Sequence, residues 1–203
     1  KSNRYRGVKK FGDGKTYVLL SENANRILSL KDGKMQLTED NDDINLSLKV
    51  TRTDDGFYKL TDEDKNMALD ATNGQLTMAP VSNTPSQRWK ITDSGTHDCY
   101  FYLSPAGDSK VALTNFSATP TSNGVVGLNN AANTTSCQFA FCFDSEKYNM
   151  ETITDESDGT YDRWMQSMGF ELTSVEDHTN ENKNNDENIH DYSTDNGIVI
   201  SSE

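Results

Sequence analysis

Cysteine is scarce and odd in number in this 203-residue chain. Cys99, Cys137 and Cys142 allow at most one internal bridge, with Cys99 to Cys142 as the candidate pair, and their spacing fits no zinc motif. They read as small buried hydrophobes. Long apolar runs are also missing: a hydrophobic content of 33% and a mean hydropathy of −0.78 leave no stretch near the length of a membrane-crossing helix. The opening KSNRYRGVKK has five cationic residues in ten but no apolar core behind them, so it does not read as a signal peptide. It reads as a solvated, frayed end, and the chain as a trimmed form of a longer precursor. No Ser-His-Asp spacing, phosphate loop or Gly-x-Ser-x-Gly turn is present, which removes the usual handles for an enzyme or a cofactor.

Basic surface is lacking as well. Residues 1–143 carry 16 acidic and 16 basic residues, and residues 144–203 carry 16 acidic and 3 basic, so the tail holds the whole net charge of −13. Neither part can neutralise a run of phosphates, which argues against nucleic acid or an anionic membrane as partner. The change in composition marks a domain boundary near residue 144.

What the sequence does have is repetition. YVLLSENANRILSLKDGKMQL (17–37) lies over YKLTDEDKNMALDATNGQLTM (58–78) at an offset of 41, placing Tyr17 on Tyr58, Leu28 on Leu69 and Gly33 on Gly74. The same offset puts Leu48 on Trp89 and Val50 on Ile91. A third copy starts at Cys99, matches Ala112 and Leu113 to Ala68 and Leu69, and closes with NTTSCQFAF (133–141) echoing NTPSQRWKI (83–91). Its longer offset at the end places an insertion in NFSATPTSNGVVGLNN. Inside each copy, short alternating apolar runs are separated by KDGK, DDG, TNGQ and SPAGD, which is strand and turn chemistry. Three copies of about four strands suit a closed threefold all-β arrangement, a β-trefoil with repeats at about 14–55, 56–98 and 99–143. Leu48, Trp89 and Phe139 would then converge on one core.

ALDATNGQLTMAPVSNTPSQRWKI, with Gln87-Arg88-Trp89 near its end, resembles the repeat of ricin-B-type β-trefoil lectins, and the resemblance spans roughly Thr16 to Phe143. It implies a secreted or cell-surface carbohydrate-binding module, with a glycan or cell-surface polysaccharide as partner and other domains of a longer chain alongside. In such lectins a repeat offers a shallow sugar pocket built from an Asp, a stacking aromatic and an Asn ahead of the Gln-x-Trp. Here the Asp position holds Asp70, the stacking position Thr77 and the Asn position Ser86; copies one and three have Ser29 and Thr114 in place of the Asp. The resemblance therefore implies weak binding at best, in repeat two, with Asp70, Asn73, Thr77, Asn83, Ser86 and Gln87 as candidate residues. Trp89 and Gln87 read as core and turn-ordering residues. Phe116, in the copy-three insertion, offers a second candidate surface. The rival reading is a structural trefoil without sugar binding. A trefoil protease inhibitor commonly needs paired cysteines, which three do not supply.

From Asp144 on, the repeat stops. Tyr161, Trp164, Met165 and Met168 recur at helical spacing with Asp158 as cap and Gly169 as stop, predicting one short helix. FELTSV reads as a strand, the following polar stretch with His178 and His190 as a solvated linker, and DNGIVISSE as a terminal strand resembling the start of a further domain in secreted bacterial proteins. Asp155, Glu156 and Asp158 do not make a calcium loop, because TDESDG lacks the leading Asp and the closing Glu, so no metal is expected.

Overall fold

The computed structural model describes residues 4–22, 26–95, 99–116, 124–144 and 189–190. After β1 (Tyr5–Val8), twelve strands fall into three sets of four. The first set is β2 (Lys15–Ser21), β3 (Ile27–Lys31), β4 (Lys34–Thr38) and β5 (Leu48–Arg52). The second is β6 (Tyr58–Asp62), β7 (Met67–Asp70), β8 (Thr77–Pro80) and β9 (Trp89–Asp93). The third is β10 (Tyr100–Pro105), β11 (Val111–Asn115), β12 (Gly124–Asn130) and β13 (Phe139–Asp144), and β14 (Ile189–His190) comes last.

The first and last strands of each set pair antiparallel in the cycle β2–β5–β6–β9–β10–β13 and back to β2, which closes a six-stranded barrel. The middle strands form three hairpins, β3–β4, β7–β8 and β11–β12. Closure leaves no unpaired barrel edge. This is the β-trefoil that the repeats predict. The turn chemistry also appears where expected: Asp32 and Gly33 join β3 to β4 with φ of 53° and 76°, the left-handed pair a two-residue hairpin loop needs.

Repeat register and barrel position coincide. Leu48, Trp89 and Phe139 each begin the closing strand of their set, are fully buried and lie in one apolar cluster with Leu19, Leu60 and Leu103. The echoed stretches fold alike. Gln87 N–H bonds Thr84 C=O at 3.1 Å and Arg88 N–H bonds Pro85 C=O at 3.0 Å; Cys137 and Gln138 bond Thr134 and Thr135 at 3.1 Å each. Each is a single tight turn that delivers the aromatic into the barrel. The extra length of copy three falls between β11 and β12, where the insertion was placed.

Two expectations are corrected. Residues Tyr5–Val8, read as part of a frayed end, form β1, which pairs with β13 from Tyr5↔Asp144 to Gly7↔Cys142. Tyr5 and Val8 are buried, so burial of two apolar side chains outweighs the local charge. The Arg4 guanidinium fastens this strand: Nε and Nη2 donate to Asp144 at 3.0 and 2.8 Å, and it also pairs with Asp40 at 3.1 Å and Asp42 at 2.9 Å. The hydrogen bond to Asp144 holds the guanidinium well above its ordinary range, against the opposing effect of burial. Arg4→Ala would remove two charge-assisted donors from the part-buried Asp144 carboxylate, so a destabilisation of about 1.5–3 kcal/mol is expected, read as a shift in the urea midpoint; a midpoint unchanged within error would show that β1 holds without it.

The second correction concerns cysteine. Cys99, Cys137 and Cys142 are buried thiols, and the Cys99–Cys142 bridge is not formed. Cys142 alternates with Phe141 and Phe143 along β13: the phenylalanines join the main core, while Ala140, Cys142 and Cys99 join a second apolar cluster outside the barrel. There the thiols act as small hydrophobes.

In the tail, His190 belongs to β14, whose backbone pairs with β1 at Gly7↔His190 and Val8↔Ile189, so it is not part of a free linker. The predicted helix around Tyr161–Met168, the FELTSV strand, the acidic TDESDG, His178 and DNGIVISSE lie outside the described residues.

Candidate functional site

Asp70 ends β7, where the strand runs into the Thr72–Gly74 turn. It is 4% exposed, and its oxygens meet internal donors. Thr72 N–H donates to Oδ1 at 2.8 Å, the Thr72 hydroxyl donates to the same oxygen, and Gln87 Nε2 donates to Oδ2 at 3.0 Å. An ionised carboxylate offers about four acceptor positions, and these donors take most of them. Burial alone would raise this carboxyl, but the bonds from Thr72, Gln87 and Ser86 outweigh it and hold Asp70 below the usual carboxylate range.

Gln87 is the hub of this node. Its Nε2 also donates to Pro80 C=O at 2.9 Å, and its Oε1 accepts Ser82 N–H at 2.9 Å, so one buried amide ties the end of β7, the end of β8 and the loop before β9. Two places along, Trp89 Nε1 donates to Leu69 C=O at 3.0 Å. The Gln-x-Trp spacing thus puts two donors on one strand entry, one for the Asp70 side chain and one for its neighbour's backbone.

The other repeats keep this node with less charge. In repeat one, Asn45 Nδ2 donates to Ser29 Oγ at 2.8 Å and Thr38 Oγ1 at 3.2 Å. In repeat three, Thr114 Oγ1 sits 3.5 Å from Cys137 Sγ. Asn45 doing in repeat one what Gln87 does in repeat two was not legible from spacing, because it stands one position earlier relative to the closing strand.

The remaining candidates divide. Thr77 is the register partner of Asp70, and Ser86 C=O accepts Ala71 N–H at 2.9 Å while its hydroxyl lies 3.2 Å from Thr72 Oγ1, so both are brought to the node. Asn73 is exposed in the turn with φ of 55°. Asn83 is drawn the other way, 3.5 Å from Lys59 Nζ, into a separate cleft of about 310 Å³ lined by Asp54, Asp55, Lys59 and Arg88. Phe116 is 45% exposed and follows β11 with its N–H on Val125 C=O at 2.7 Å; Val125, 65% exposed, stands beside it.

The threefold barrel with a buried polar node in each repeat defines the class: a β-trefoil. No family model matches the chain, and no curated protein matches it. Among solved structures it is similar to a GH43 β-1,3-galactosidase at 23% identity and a TM-score of 0.64, covering 81% of this chain and 34% of that one. It is similar to the designed threefold-symmetric protein ThreeFoil, at 20% identity and a TM-score of 0.55 over 64% of this chain and 99% of that one. The ricin B-like lectin of Macrolepiota procera, solved with lactose, matches at 13% identity and a TM-score of 0.55 over 65% of this chain and 97% of that lectin. The chain spans about a third of the galactosidase's length. At these identities the likeness establishes the fold.

Proposed function

We propose that this chain is a non-catalytic, lectin-like carbohydrate-binding module of a secreted or cell-surface protein, with degenerate pockets and weak binding centred on repeat two. The observation that carries the reading is the Asp70 node: an ionised, oriented carboxylate, flanked by Thr77 and Ser86, at the position where such lectins present their Asp. A trefoil solved with lactose and one carried by a β-1,3-galactosidase support glycan as the partner and galactosides as the first probes. Charge-assisted bonding to sugar hydroxyls needs an open acceptor, and on Asp70 the bonds from Thr72, Gln87 and Ser86 already compete for the oxygens, which supports weak rather than tight binding.

The same closure favours a second reading, a trefoil scaffold that spaces other domains without binding sugar. A glycan array followed by titration with lactose separates the two. Binding by the parent chain that falls in Asp70→Ala, at a temperature where circular dichroism shows both folded, supports the lectin. A parent chain silent on every glycan supports the scaffold and ends the lectin reading.

A further inference from the structure

Three grooves run over the outside of the barrel, one at each junction where the last strand of a set pairs with the first strand of another. Register places equivalent residues in each. Cys142↔Val18 and Ala140↔Leu20 mark the first, Thr51↔Lys59 and Lys49↔Thr61 the second, Thr92↔Tyr102 and Lys90↔Ser104 the third. The residues that overhang them are equivalent too: Asp40 and Asp42 in repeat one stand where Val81 and Asn83 stand in repeat two, and Ala131 and Asn133 in repeat three.

The first groove is filled by the chain itself. Tyr5 shares a buried cluster with Val18, Leu20, Ala140 and Cys142, its hydroxyl donates to Asp40 at 3.0 Å, and Arg4 pairs with Asp42 at 2.9 Å. The second is crossed by charge: Lys59 Nζ reaches Ser82 C=O at 2.6 Å, Lys49 Nζ pairs with Glu63 at 3.1 Å, and no aromatic ring lines the neighbouring cleft. The third is open. It encloses about 300 Å³ over Tyr102, with small Ala112, Ala131 and Ala132 and polar Lys90, Ser104 and Asn133 around it.

Tyr102 is fixed in place. Its hydroxyl donates to Asn133 Oδ1 and accepts from the buried Gln138 Nε2 at 3.3 Å. A ring held at its polar tip keeps its face for a ligand and loses little rotamer freedom on binding. A half-exposed aromatic face, hydroxyls, an amide and one ammonium, in a groove at the small end of ligand pockets, match a pyranose, which has an apolar C–H face and a rim of hydroxyls.

We propose that the groove between β9 and β10 is a saccharide site in which Tyr102 stacks on one pyranose ring and Asn133, Ser104 and Lys90 hold its hydroxyls. It rests on the glycan-binding reading above but is separate from Asp70: it faces Asn133 and the outer barrel, whereas Asp70 is tied to the Thr72–Gly74 turn. The first groove shows what this surface accepts, a tyrosine ring with polar groups at its margin, supplied there by the chain and in the third groove by a ligand.

The test is titration of lactose into the wild-type chain, Tyr102→Ala, Ala131→Trp and Asp70→Ala, with thermal midpoints measured alongside. Ala131 is exposed, so a tryptophan there fills the groove without touching the core. The expected result is about a tenfold loss of affinity at the groove in both Tyr102→Ala and Ala131→Trp, with the groove's affinity unchanged in Asp70→Ala, which removes only the repeat-two site. Wild-type binding that survives within about twofold in Ala131→Trp and Tyr102→Ala would overturn the groove and leave the lectin reading standing. A wild-type chain that binds neither lactose nor any arrayed glycan would sink both.

Discussion

Replacing Trp89 with alanine is expected to cost about 3–5 kcal/mol of unfolding free energy, the range for deleting a large buried aromatic. Trp89 is wholly buried among the closing residues of the barrel, and its indole N–H satisfies the Leu69 carbonyl at 3.0 Å. The substitution therefore opens a cavity and also strands a buried acceptor. Trp89→Phe separates the two effects. Phe139 fills the equivalent place in repeat three, so a phenyl ring suits the barrel, and what remains is the unpaired carbonyl, about 1–3 kcal/mol. Urea unfolding of the two variants reads this directly. A cost below about 1 kcal/mol for Trp89→Ala would mean that the threefold core does not depend on this residue.

Asp70→Asn is the second large effect and carries a pH signature. Asparagine keeps one oxygen for Thr72 but turns an NH2 group toward Gln87 Nε2, donor against donor in a buried place, for about 1–3 kcal/mol. Because the folded carboxyl of Asp70 lies below the usual range, its stabilisation is fully present above the unfolded value near 4 and is lost as pH falls through the folded value. The gap between wild type and Asp70→Asn should therefore be widest at neutral pH and close in acid. Urea midpoints between pH 7 and 3 follow it. A gap that stays constant across that range would show that the charge on Asp70 contributes nothing and that its role is shape alone.

Much of the architecture could be read from spacing. The offset of 41 carries β5 onto β9 without adjustment, and the echo at 83–91 and 133–141 marks two copies of one tight turn. Such features are local: a turn needs its own few residues, and an alternating strand declares its buried face by period two. The candidate site was legible only in outline. Gln-x-Trp pointed to Gln87 and Asp70, yet the donors that close Asp70 include Thr72, and Gln87 is occupied by Pro80 and Ser82 as well, partners set by how three loops meet. Asn83 looked like part of that site from its place beside Ser86, and the fold draws it to Lys59 instead.

The sequence alone settled what depends on neighbours along the chain: strands, turns, threefold repetition and which residue of each repeat goes inward. Contacts between distant segments were decided by the closed barrel. Arg4 and Asp144 lie 140 residues apart, and only the pairing of β1 with β13 brings them to 2.8 Å. The same closure fills one outer groove with Tyr5, crosses another with Lys59 and leaves the third over Tyr102. Residues equivalent in sequence face different surroundings because only one junction has the first strand beside it, and local patterning carries no information about which.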